Sequence, residues 1–393
     1  MKLAAAVAIA AALVVAAAGG ARREEREPTA GRAAAAAPHV RPAAPARYRV
    51  PPDAVRVSTA AELRAALRAR RPRAIALASG TYRSRRPFQV AGGHRLYATR
   101  VGRAVLKAGL TLGGNSGRGG AVIRGVVVDV SDPRRAVGGA AISVWGAGRD
   151  AQILDTTLRG HGRLGAGVEA RRPDGLRIRR VRVRGFTDFG VLADANEPMR
   201  SAPRDPFVIE DIDVARVGRS VPGSSDGRAE ACLWVGDTGT VRRARLRDCA
   251  WSGLWTGTAT RGSEFRGIDV DGTRTGVYLE HFTHDSTFTG LRVGPDVRIG
   301  LTAEWADPEW RGRPASVGNV VEDSHFASRL AGVYLDEGTT RTTVRRSSFA
   351  GQQWAGIGDY RGDGNAFYDN DYRGIDAGAE QVSRRHLSSA REG

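Results

Sequence analysis

The chain has 393 residues, 41% of them apolar, with 51 Gly and a formal net charge of +18. Length and apolar content exclude a disordered chain and allow one large domain or two ordinary ones. Lys occurs only at Lys2 and Lys107, so the charge is nearly all Arg; no Arg cluster is interleaved with aromatics as nucleic-acid motifs are, and the charge reads as a bias toward anionic partners, not toward nucleic acid.

The first element in chain order is an export signal over residues 1–20. Lys2 precedes an apolar run from Leu3 to Ala18, and a small-residue cleavage zone follows. An uncleaved membrane anchor is the alternative for the same segment, and no other stretch is apolar enough to span a bilayer. The expected location is therefore secreted or cell surface. Residues 21–54 are rich in Ala, Pro and Arg without periodicity and read as a disordered linker. From Ser58 the chain reads "STAAELRAALRARRPRAIALASGTYR". Thr59 and Glu62 make a capping box, and Leu63, Ala66 and Leu67 share one apolar face, so a helix over 59–70 is expected to cover the open end of the domain that follows.

That domain is a repeat. A Gly-led alternation recurs as "GVEA" at 167, "GVLA" at 190, "CLWV" at 232, "GLWT" at 253, "GVYL" at 276, "GLTA" at 300, "GVYL" at 332 and "GIGD" at 356, with a degenerate "AISV" at 141. A second pattern, apolar-x-turn-x-x-apolar, follows most copies: "ILDTTL" at 153, "IRRVRV" at 178, "IEDIDV" at 209, "VRRARL" at 241, "FRGIDV" at 265, "FTGLRV" at 288, "VEDSHF" at 321, "VRRSSF" at 344 and "FYDNDY" at 367. Such a unit holds a few short strands and cannot bury its own apolar face, so the units must stack. Short β-rich rungs without intervening helices give an all-β parallel β-helix over 55–375, with about ten or more rungs and a flexible tail at 376–393. At ~4.8 Å per rung, ten rungs make a rod roughly 50 Å long. Cys232 and Cys249 either pair, as export permits, or stand as two buried thiols.

With its export signal, capping helix, "IALASGTY" and rungs, the sequence resembles the pectin-lyase-like superfamily of right-handed parallel β-helices. The resemblance implies a single right-handed coil. It also implies a place among pectate, pectin, alginate and chondroitin lyases, polygalacturonases, uronate epimerases and noncatalytic surface proteins. "GHG" at 160–162 echoes a polygalacturonase motif whose companion elements are absent.

Alternation separates the faces. The second residue after each Gly points outward and reads Glu169, Leu192, Trp234, Trp255, Tyr278, Thr302 and Tyr334. The fourth, at the strand end, includes Glu280, Glu304 and Asp336 on successive rungs. Stacked aromatics stabilise one another across strands, or else lie flat against sugar rings. Three like charges at ~5 Å steps need a neutraliser, for which Ca²⁺ on Glu280, Glu304 and Asp336 is one choice and neighbouring Arg, His281 or His284 another. Two other outward ladders mix sign: Arg182, Asp213, Arg245, Asp269, Arg292, His325, and Arg179, Glu210, Arg242, Arg266, Thr289, Glu322, Arg345. They read as salt-bridge ladders on a solvated face. Long insertions at 194–206, 218–231 and 304–318 flank the one-sign face, and the last carries Trp305, Trp310, Arg311 and Arg313.

The expected function is that of an exported monomer acting on an acidic, uronate-containing polysaccharide. As a lyase it would use a cation as neutraliser and His281, His284, Arg311 or Arg361 as base. As a glycosidase it would use two carboxylates, ~5–5.5 Å apart if retaining and ~6.5–9.5 Å apart if inverting. Trp234, Trp255, Tyr278, Trp305, Trp310 and Tyr334 would hold the sugar. The alternative is a noncatalytic polysaccharide-binding or structural surface protein.

Overall fold

The computed structural model describes residues 40, 42–44, 46–113, 120–145, 150–194, 205–218, 230–257, 260–303, 316–360, 362–375 and 378–383. The expected export signal and most of the linker lie outside them. Among the described residues no helix is long and apolar enough to cross a membrane.

The chain is a parallel β-helix. Twelve strands, from Phe88–Val90 to Gly378–Ser383, stack in one Gly-led sheet; a second, longer sheet of 22 strands runs beside it, and a minor sheet of three strands fills a corner. The inward column of the Gly-led sheet runs Leu110, Ile142, Val168, Val191, Leu233, Leu254, Val277, Leu301, Val333, Ile357, rung on rung. All are buried in one continuous core. From the long sheet, Phe265 stacks on Phe288 and Phe326 on Phe349, with ring centroids 4.6 and 5.3 Å apart. Gly378–Ser383, which the sequence places in the tail, is the last rung and pairs with Ala355–Tyr360. Its "GAEQVS" has no apolar alternation, so only the pairing reveals it.

The expected helix forms over Ala60–Leu67. The Thr59 side chain accepts from the Glu62 amide, and Glu62 accepts from Ser58 in return. Its buried Leu63, Ala66 and Leu67 belong to the core.

The turn position of the second motif adopts a left-handed conformation in every copy: Gly125, Asp155, Arg180, Asp211, Arg243, Gly267, Gly290, Asp323, Arg346 and Asp369 all have φ between 48° and 75°. Gly and Asp tolerate this region, whereas Arg is strained there. Each Arg is matched to the Asp one rung before it, with Arg180 to Asp155 at 2.5 Å, Arg243 to Asp211 at 2.7 Å and Arg346 to Asp323 at 2.8 Å.

The leading Gly has a different cause. A Cβ at Gly276 would lie 2.3 Å from the Gly300 carbonyl oxygen, and one at Gly300 would lie 2.3 Å from that of Gly332 and 2.5 Å from Phe326. At these two rungs there is no room for a side chain where the coil turns into this sheet. Cys232 occupies the same column at one rung and is joined by a disulfide to Cys249 of the long sheet, with Cα atoms 5.6 Å apart.

Candidate functional site

The expected outward row exists. Leu192, Trp234, Trp255, Tyr278, Thr302 and Tyr334 are cross-strand neighbours in that order. Trp234 and Trp255 stack face to face at 4.4 Å and 8°, Tyr278 meets Trp255 edge-on at 4.9 Å, and Phe189 meets Trp234 edge-on at 5.2 Å.

Two rings that the alternation missed complete the face. Trp251 lies 4.6 Å from both Trp255 and Tyr278. Trp354 lies 6.0 Å from Tyr334 and occupies the space an outward side chain at Gly358 would need. Each stands two positions before its Gly, at the corner and outside the alternating strand. Consequently Trp255 and Tyr334 are each only 6% exposed, whereas Trp234 and Tyr278 are half-buried. The free ring faces expected of the whole row are therefore lost at Trp255, whose face is taken by Trp234. Trp145, at the end of a Gly-led strand, is 56% exposed and was hidden by the degenerate "AISV" of its copy.

Two acids of the expected column lie beside this row. Leu279, Ala303 and Leu335 are in register, which puts Glu280 and Asp336 at equivalent strand ends two rungs apart. Glu280 accepts from Trp255 Nε1 at 3.1 Å. Asp336 is buried and accepts from the Glu337 amide at 2.9 Å and from the Tyr334 hydroxyl at 3.4 Å. Each acid is thus held by an aromatic of the adjoining row. After Glu280 the chain turns tightly: Phe282 is left-handed and buried, its ring 6.2 Å from that of His281 and 6.1 Å from that of His284. His284 itself belongs to the minor sheet.

Glu304, Trp305, Trp310, Arg311, Arg313 and Arg361 lie outside the described residues. Two rungs separate Glu280 and Asp336 by about 10 Å of backbone, more than the 2.3–2.6 Å ligand distances of one Ca²⁺ easily span. Among the described residues no three His, Cys, Asp or Glu side chains form a metal-holding group.

Asp359 is a further acid missed by the sequence reading. It follows Leu335 in register, at an inward place, and is buried. Burial pushes its pKa up, against hydrogen bonds from Asn365 and the Gly362 amide. A raised carboxyl of this kind is a frequent mark of a functional group. The clue was "GIGD", whose Asp stands where other copies carry Val, Ala, Leu or Thr.

The long sheet carries the mixed-sign ladders in the expected register. Arg179 pairs with Glu210 at 3.0 Å, Arg242 with Glu264 at 2.9 Å and Arg345 with Glu322 at 2.7 Å. Asp213, however, pairs with Arg184 and Arg247 at the next outward position, not with its direct neighbours Arg182 and Arg245.

No family model matches the chain, and no curated protein matches it. Solved structures do. The A-module of Azotobacter vinelandii mannuronan C-5 epimerase AlgE6 is 14% identical, over 83% of this chain and 96% of that one, with a TM-score of 0.45. The Streptococcus pneumoniae surface protein and adhesin PfbA is 10% identical, over 78% and 91%, with a TM-score of 0.43. An alginate lyase from Paenibacillus sp. str. FPU-7 is 15% identical, over 84% and 98%, with a TM-score of 0.22. Likenesses this distant carry no argument about activity.

Proposed function

We propose that this is an exported protein that binds an acidic polysaccharide along the outer face of the Gly-led sheet. One observation carries the reading: the aromatic row and the carboxylate column lie side by side on a straight sheet face, joined at Trp255–Glu280 and Tyr334–Asp336. A linear glycan repeats on the scale of the ~4.8 Å rung spacing, so a chain lying along the rod meets equivalent groups at each step. The net charge of +18 favours an anionic ligand. In the catalytic form of this reading, Glu280 and Asp336 flank the scissile unit with Glu304 between them. Cleavage is then either lyase chemistry, with His281 or His284 taking the proton α to the uronate carboxylate, or hydrolysis on a carboxylate pair. Ca²⁺ enters only through Glu304 as the middle ligand.

A noncatalytic structural surface protein is the second reading, favoured by the mutual stacking of Trp234 and Trp255, which engages ring faces that sugar would otherwise use. A panel of uronate polymers separates the two, followed by titration calorimetry and by absorbance of unsaturated products, with and without Ca²⁺. Binding lost in Tyr278→Ala and Trp234→Ala supports the site; binding unchanged in both overturns it. Product formation selects the enzyme. If Ca²⁺ matters, Glu304→Gln lowers Ca²⁺ affinity and shrinks the Ca²⁺-induced rise in melting temperature.

A further inference from the structure

Residues 40–50 read "VRPAAPARYRV". Those described, 40, 42–44 and 46–50, do not pair within a rung. They cross rungs along the left-handed corner of the long sheet. The Ala43 amide donates to Asp211 Oδ1 at 3.4 Å and the Ala46 amide to Asp155 Oδ1 at 3.0 Å. These corner acids are two rungs apart, with Arg180 between. At one end the Tyr48 hydroxyl donates to the Ala98 carbonyl, and the Arg124 guanidinium lies 4.3 Å from the centre of its ring. At the other end Val40 passes Gly267.

The periods agree. Three residues of polyproline II rise ~9.3 Å, and two rungs at ~4.8 Å rise ~9.6 Å. Pro42 and Pro45 share the spacing of three, preset the φ of that conformation and immediately precede the two donors. The corner residues match what crosses them. Asp stands where an amide comes down. Gly125 stands under Tyr48, where a Cβ would lie 2.2 Å from the hydroxyl, and Gly267 stands beside Val40. Asp155 is prepared to accept: burial alone would raise its pKa, but hydrogen bonds from Arg180, the Ala46 amide and Arg124 outweigh this and hold it below the ordinary value. Asp211 is held low in the same way by Arg243 and the Ala43 amide.

We propose that the left-handed corner of the long sheet is a binding groove for an extended polyproline-II peptide, read at every second rung by Asp155 and Asp211, and that the chain fills it with its own residues 40–50. The segment leading into the coil is then a docked strap. It brings whatever precedes residue 40 to the side of the rod at the rung of Gly267, and not to the rod's end.

The test uses the full chain. Ala43→Pro and Ala46→Pro each remove one corner-directed amide while keeping the strap's conformation; Ala44→Pro keeps both amides. Limited trypsin cleavage after Arg47 and Arg49 should rise on the order of tenfold in the first two and stay at the wild-type rate in the third. A labelled peptide of residues 38–50 should bind the double variant Ala43→Pro/Ala46→Pro and not wild type. In wild type, exchange of the Ala43 and Ala46 amides should be slowed at least tenfold relative to Ala44. Equal cleavage of all three proline variants, or equal exchange at the three amides, overturns the proposal whichever chain is used.

Discussion

The two large sheets solve the same problem in opposite ways. Parallel, in-register stacking places every outward side chain directly against its equivalent one rung away, so identical residues form ladders and like charges repel. The long sheet alternates its charges. Asp155, Asp211 and Asp323 each meet an Arg on the next rung, and Glu210 and Glu322 are paired as well. These acids are matched within the sheet. The Gly-led sheet instead stacks rings, whose mutual attraction needs no alternation, and aligns Glu280 and Asp336 in one column of the same sign. The alternating ladders present an outside ligand no run of one sign, and their corner takes the chain's own strap, whereas the Gly-led face sets a short run of one sign beside a row of rings.

Five changes would break or sharpen this contrast. The largest effect is expected in the long sheet. Asp155→Ala leaves Arg124 and Arg180 without their buried partner, and urea denaturation should show a loss of about 3–5 kcal/mol. Next is the link between the sheets: Cys249→Ser, which opens the bridge to Cys232, should cost about 2–4 kcal/mol. Third is the close approach in the Gly-led sheet, where Gly300→Ala should cost about 1–3 kcal/mol by forcing Phe326 and the next rung aside. The smallest effect separates stability from binding. Arg242→Ala removes an exposed pair and should change stability by less than about 1 kcal/mol. Glu280→Gln keeps an acceptor for Trp255 and should change it as little, while lowering the Ca²⁺ dependence of polysaccharide binding if the carboxylate column holds the cation.

Acid titration gives the two sheets opposite signs. Burial tends to raise Asp155 and Asp211, but their hydrogen bonds win and hold both low. Glu322 is held low first by its hydrogen bond to Arg345. A carboxyl depressed in the fold contributes stability above its unfolded pKa and loses it as pH falls through the folded one. The long sheet should therefore loosen first in acid, and hydrogen exchange read at the corner amides would show it. Asp359 runs the other way: its pKa is raised by burial, so its contribution declines as pH rises past the ordinary carboxylate value. The stability of Asp359→Asn relative to wild type should accordingly grow as pH rises above the ordinary carboxylate value.

The sequence by itself determined the repeat, the register and the faces, because alternation has a period of two and rungs stack in register, so a residue's place in its copy fixes its neighbours above and below. It showed the turn positions that became Asp155, Arg180, Asp211 and Arg243, and it put Trp234, Trp255 and Tyr278 in one row. Tertiary structure decided what touches what between copies. Trp251 and Trp354 cover the row from a corner that has no alternation to read. Gly276 and Gly300 are required by the carbonyl of the next rung, an atom far away along the chain. Asp213 chose Arg184 and Arg247 over its direct neighbours because side-chain reach, not register, sets ion pairs. Residues 42–44 and 46–48 lack apolar periodicity and read as linker; the Ala43 and Ala46 amides are tied to Asp211 and Asp155, on rungs more than a hundred residues away, and those acceptors stand in line only once the coil is built.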